Sequence, residues 1–119
     1  MTIDALLFLT LAPLVAGDAA YPDQVPENTP APYIVHQQVG GQGLMWTEGT
    51  LPENESCRVQ VACWAATRDE ATDLAKAAEV AILAQAGWQA EPLGGRTSTY
   101  DPDTGLRGSR QDFSIWAPR

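Results

Sequence analysis

Apolar residues open the chain as a block, with residues 5–16 reading ALLFLTLAPLVA. A run of this length is too short to cross a bilayer. It predicts a buried helix with Thr2 as N-cap and Asp4 in the first turn, where a carboxylate meets unpaired backbone N–H groups. Pro13 ends or kinks that helix near Leu11. The block also resembles the apolar part of an export signal, with small residues at 17–20 behind it, but the charge ahead of it is Asp4, where an export signal is positive. Between Asp18 and Pro32 the prolines at 22, 26, 30 and 32 exclude a helix and predict an ordered loop or a short extended edge.

Alternation takes over at Tyr33–Val39, a strand with Tyr33, Val35 and Val39 on one face and Ile34, His36 and Gln38 on the other. Gly40-Gly41 breaks it. The connection Gln42–Ser56 is fifteen residues long, beyond the length at which loops in compact domains are usually without a role. The clearest strand is Arg58–Trp64, with Val59, Val61 and Cys63 toward the core and Arg58, Gln60, Ala62 and Trp64 opposite. Thr67-Arg-Asp-Glu70 is a capping box and starts a helix. That helix runs to about Gln85, with Ala71, Leu74, Ala78, Ala81, Ile82 and Gln85 on its buried stripe, and Gly87 stops it. Thr97–Tyr100 and Gln111–Trp116, joined through the turn residues Asp101–Gly105, predict a terminal hairpin. The pattern predicts one α+β domain over residues 1–119: a mainly antiparallel sheet of about four strands packed against two helices, with a long hairpin loop.

Composition narrows the function. At 119 residues, one core can hold the chain without disulfides or metal. The net charge of −8 is unevenly spread: residues 1–57 carry seven acids and no Lys or Arg, whereas residues 96–119 carry four Arg against three Asp. Seven dispersed basic residues are a poor basis for holding phosphates, so nucleic-acid recognition is not expected. An acidic first half and a basic tail favour head-to-tail contact between copies. Cys57 and Cys63, six residues apart in one strand, would be about 20 Å apart, too far to pair, and predict buried free thiols.

Candidate chemistry is thin. His36 is the single histidine; a catalytic use would need a nucleophile such as Cys57 or Cys63 beside it, and no local motif provides one. It is expected to be a sheet residue with ordinary hydrogen bonds. Asp101–Gly105 begins like a calcium loop, but its glycine is one place early and Asp112 stands where the bidentate Glu belongs. No zinc spacing, phosphate loop or dinucleotide fingerprint is present, and no catalytic residue, cofactor or metal is expected. Contact area is the stronger signal. Large aromatics and Arg are enriched where proteins bind one another. The candidate interface residues are Leu44, Met45 and Trp46 in the long loop, Trp88 beyond the second helix, and Arg107, Arg110 and Trp116 in the terminal segment.

Four stretches in this order resemble the tail completion, or tail terminator, proteins of long-tailed bacteriophages and prophages: LAPLVAG at 11–17 leading to Tyr21-Pro-Asp23; APYIVHQQVGG at 31–41; RVQVACWAAT at 58–67 followed by Glu70-Ala71; and Tyr100-Asp101 through Asp112–Trp116. The resemblance implies a small α+β virion subunit that forms a ring, commonly a hexamer, on the head-proximal end of the tail tube. Its implied partners are copies of itself, the tail tube protein and the connector or stopper of the filled head. DNA would pass through the lumen without specific binding, and no membrane would be involved. Assembly would take place in the bacterial cytoplasm. The alternative within the neck is a head-side stopper, and a small enzyme is the remaining rival.

Overall fold

The computed structural model describes residues 2–119. Thr2 opens α1 (Ile3–Leu11), its hydroxyl accepting from the Ala5 N–H at 3.1 Å, and α1 buries Ile3, Leu7 and Leu11. Two short 3-10 turns around Pro13 and Gly17 then lead into β1 (Ala20–Pro22). The proline-rich stretch does yield a short extended edge. β1 pairs with β2 (Tyr33–Gln38) in parallel, and its outer side is free to accommodate Pro22, which lacks a backbone donor.

β3 (Asn54–Ala65) and β6 (Leu106–Pro118) form the centre of the sheet, antiparallel from Asn54↔Pro118 to Ala65↔Arg107. β2 joins the other side of β3. β4 (Gln89–Pro92) and β5 (Thr97–Asp101) lie one after the other along the free edge of β6, opposite residues 113–116 and 106–110. Leu93 continues the edge between them by donating to the Asp112 carbonyl at 2.9 Å. The sheet therefore has six strands, not about four, and remains mainly antiparallel within an α+β fold. The additional strands, β1 and β4, are three and four residues long and each contains a proline. Pairing partners create them; their own pattern gives no period to read.

β3 starts at Asn54 and β6 at Leu106, both earlier than alternation predicts. In β6 the extension includes Gly108, a weak strand former. A Cβ there would run into the Trp64 ring and the Thr99 hydroxyl, so glycine lets Trp64 lie across β6. Arg68 reinforces this corner by donating to the carbonyls of Gly108 and Thr99.

α2 (Arg68–Ala84) begins as the capping box requires, with the Thr67 hydroxyl accepting from the Glu70 N–H at 3.2 Å. Its buried stripe is Ala71, Ala75, Ala78 and Ile82. Leu74, Ala81 and Gln85 lie at the margin, where Gln85 Nε2 donates to Thr10 Oγ1 at 2.8 Å and ties the end of α2 to α1. Alanines let α2 lie close on β3 and β6. Both helices cover one face of the sheet, over Ile34, Cys57, Val59, Val61, Cys63, Phe113 and Ile115.

His36 differs from expectation. It is 1% exposed on the helix-covered face, and neither ring nitrogen has a hydrogen-bond partner among the described residues. The nearest carboxylate oxygen, Asp4 Oδ1, is 3.6 Å from Nδ1, beyond hydrogen-bond range, and Asp4 is itself half exposed. Burial holds the imidazole below its ordinary pKa of 6.5, against the smaller opposing pull of Asp4 and Asp23. The unfolded chain thus binds a proton more readily than the folded one. Stability is complete above the ordinary pKa and is lost as pH falls below it.

Two outcomes are expected. Ile82→Ala, which empties a fully buried position between α2 and the sheet, lowers stability by about 2–5 kcal/mol in chemical denaturation. The melting temperature of the native chain falls between about pH 7.5 and about pH 5.5, and His36→Leu flattens that fall when both are measured by thermal melts.

Candidate interaction surface

Possible reaction chemistry can be located first. Cys57 and Cys63 are free and buried, as their spacing predicts. Burial raises both thiols above their ordinary value, Cys63 to about 12, so neither is a ready nucleophile. His36 hydrogen-bonds to neither of them. The Asp101–Gly105 segment is a hairpin turn, closed by Gly105 N–H to the Asp101 carbonyl at 2.8 Å and by Asp103 N–H to Asp101 Oδ1 at 3.0 Å. Among the described residues no group of His, Cys, Asp and Glu is arranged to hold a metal ion. No described helix is long and apolar enough to cross a membrane.

The connection between β2 and β3 is an arm. Its root continues the sheet, with Val39 N–H donating to the Arg58 carbonyl at 2.7 Å and Arg58 N–H to the Gly40 carbonyl at 2.8 Å. Gly41 has φ +141°, and a Cβ there would overlap the Ser56 carbonyl, so only glycine lets the arm leave so close to β3. Its tip is a turn of its own: Trp46 N–H donates to the Thr50 carbonyl at 2.7 Å, and Gly49 N–H to the Trp46 carbonyl at 2.8 Å. The returning limb is fastened by the C-terminus, since Arg119 donates from its backbone N–H to the Glu53 carbonyl at 2.9 Å and from Nε to the Pro52 carbonyl at 3.2 Å.

The arm offers its apolar side chains to solvent. Leu44 is 37% exposed, Met45 69%, Trp46 54% and Leu51 57%. The backbone bonds hold the arm in shape while its large side chains remain unburied.

The other candidate residues separate. Trp88 is a core residue, not a surface one: it is 7% exposed, and its indole N–H donates to the Ile82 carbonyl at 2.9 Å, closing the end of α2. Position just after a helix could not distinguish that capping role from an exposed one. Arg107 and Arg110, three apart on β6, point to opposite faces of the sheet. Arg107 lies on the helix side, its guanidinium 4.2 Å from the centroid of the Tyr100 ring. Arg110 and half-buried Trp116 lie on the uncovered face, where Trp116 stands opposite Ser56 at the arm end of β3. The arm and Trp116 therefore share one end of the molecule, and Arg107 is at the other.

Along β2 and β3 that uncovered face changes from Tyr33, Val35, Ala62 and Trp64 at one end to Gln37, Gln60 and Arg58 toward the arm. Gln37 stands opposite Gln60 and Gln60 opposite Asp112, while Arg58 donates from Nη2 and Nε to Asp112 Oδ2 at 2.8 and 3.0 Å. Beside it runs an open cleft of about 670 Å³, walled by Val39 and Leu93 and lined also by Ser56, Arg58, Ser114 and Glu91. Nothing in the residue pattern marks this cleft, because its walls come from the root of the arm and from the segment of β4 and Leu93, which has no periodic pattern of its own.

No curated protein matches this chain. The family model for Tail completion protein gp17 matches residues 9–117, a span that takes in the end of α1, all of α2, the arm and the sheet up to Ala117. With that match running from the end of α1 into the last strand, the chain belongs to the tail completion protein gp17 family, structural proteins of the bacteriophage tail.

Proposed function

We propose that the chain is a tail terminator: a ring of identical subunits, a hexamer in the commonest arrangement of such proteins, seated on the head-proximal end of the finished tail tube. One face of the ring meets the last tube subunits and stops growth; the other meets the connector or stopper of the head. The whole chain acts as one domain in this, through shape and contact, without cofactor or catalysis. It joins the virion neck after assembly in the bacterial cytoplasm.

The observation that carries this reading is the arm. A sheet whose helix-covered face already has a complete core nevertheless projects Leu44, Met45 and Trp46 into solvent on a hydrogen-bonded hairpin. Desolvating such residues favours association. The contact is heterologous if the arm meets a different surface of the next copy, and heterologous contacts make a ring when the rotation between copies closes. The uncovered sheet face also suits a lumen that lets DNA pass: its Arg58 is neutralised by Asp112, leaving Arg110 as the cation there without a carboxylate within ion-pair distance among the described residues. A head-side stopper would share these features and differ in position.

Deletion of residues 44–50 is expected to abolish ring formation and tail binding, read by light scattering and by co-sedimentation with headless tails, while leaving the circular dichroism spectrum of the fold intact. Unchanged assembly removes the arm from this role. Label on headless tails places the protein as a terminator, and label only on filled heads places it as a stopper. In gel-shift titrations the protein is expected to show no tight, salt-sensitive affinity for duplex DNA.

A further inference from the structure

We infer that Arg119 is the positioning residue of the arm: it fixes the direction in which Leu44, Met45 and Trp46 are presented for contact. This rests on the contact role proposed above for the arm and adds what holds the arm ready for it. Residues 37–51 are all exposed, and burial resumes at Pro52. Among the described residues, the hydrogen bonds of residues 41–51 stay within the arm: Trp46 N–H to the Thr50 carbonyl, Gly49 N–H to the Trp46 carbonyl, and the Thr50 hydroxyl to Glu48 Oε1. These bonds give the tip a shape of its own. They do not tie it to the body, so its direction is decided at the two limbs.

The outgoing limb is soft. Gly40, Gly41 and Gly43 lie within four residues, and glycine takes up more backbone conformations than any other residue. The returning limb is the stiff one, since Pro52 is buried and its ring fixes φ. Arg119 holds that limb at three points. Its backbone N–H donates to the Glu53 carbonyl at 2.9 Å, one step beyond the Asn54↔Pro118 pair of the β3–β6 ladder. Its Nε donates to the Pro52 carbonyl at 3.2 Å, and its Nη1 lies 3.8 Å from Glu55 Oε2. The planar guanidinium suits this double use, because its N–H groups form a rigid fork. The foot of the arm is thereby made an extension of the central ladder. An arm held in one direction has less conformational freedom to lose on binding than one that swings.

Spin-label distances read the direction of the arm in the full chain. The native thiols, Cys57 and Cys63, are buried and take no label. One pair joins tip to body, Glu48→Cys with Lys76→Cys, and a control pair joins two body sites, Lys76→Cys with Asp103→Cys, all at exposed positions. The tip-to-body pair is expected to give a narrow distance distribution when Arg119 is present. Arg119→Ala widens it about twofold, Arg119→Lys less, and Arg119→Pro, which also removes the backbone donor, the most, while the control pair and the melting temperature stay unchanged. Arg119→Ala also weakens co-sedimentation with headless tails about tenfold. Trp46→Ala weakens it too, but with the tip-to-body distribution still narrow. A narrow distribution in Arg119→Ala, or a control pair that widens with it, overturns the positioning role. Undiminished tail binding by Arg119→Ala, where Trp46→Ala has lost it, overturns that role as well and leaves the arm as the contact. If both variants bind tails as the native chain does, the contact role of the arm falls and the positioning role with it.

Discussion

The antiparallel pairing of β3 with β6 is the interaction on which the rest of the molecule depends. It runs without interruption from Asn54↔Pro118 to Ala65↔Arg107. Every other strand except β1 attaches to one of these two: β2 to β3, and β4 and β5 to successive halves of β6. The same register carries Cys57, Val59, Val61 and Cys63 to the helix side, together with Phe113 and Ile115. A slip by one residue would exchange the buried and solvated faces along the whole sheet, so the core fixes the register and the register fixes the surface.

From that register follows the division of labour between the two faces. The helix side is closed by α1 and α2 and holds nearly all the burial that stabilises the fold. Its buried polar side chains include His36, Ser109 and Gln111, and burial holds the His36 imidazole below its ordinary pKa. The other face carries Tyr33, Val35, Ala62 and Trp64 at one end and a ladder of Gln37, Gln60 and Asp112 farther along, with Arg58 neutralised across it. Large apolar side chains are exposed on the outer sides of the helices, at Phe8, Leu9, Val80 and Leu83, and again on the arm, at Leu44, Met45, Trp46 and Leu51. A chain selected only for monomer stability would not place Leu44, Met45 and Trp46 in a row at the tip of a hairpin. The family is one of tail proteins, which act by contacting other tail or head proteins.

Local signals served well where the chain supplies its own partner. Thr2 and Thr67 cap helices with their own hydroxyls, Gly105 closes its turn on Asp101, and Val59, Val61 and Cys63 face inward by simple alternation. They failed where the deciding partner is distant in sequence. Trp88 gave no sign that its indole would find the Ile82 carbonyl, and β4 is a strand only because β6 offers it an edge. Arg107 and Arg110 look like one basic cluster until strand alternation turns them to opposite faces.

By itself, then, the sequence determined the α+β class, both helices with their caps, the inward face of β3, the free thiols and the apolar content of the long connection, because periodicity and capping involve residues a few positions apart. Only the tertiary structure decided that this connection stands out from the body as an arm, that Trp88 is core while Trp116 lies beside the arm, that His36 is buried without a partner, and that a cleft exists at all. Each of those depends on which elements come to rest against one another. That outcome is set by the burial of the entire core, which no short window of residues contains.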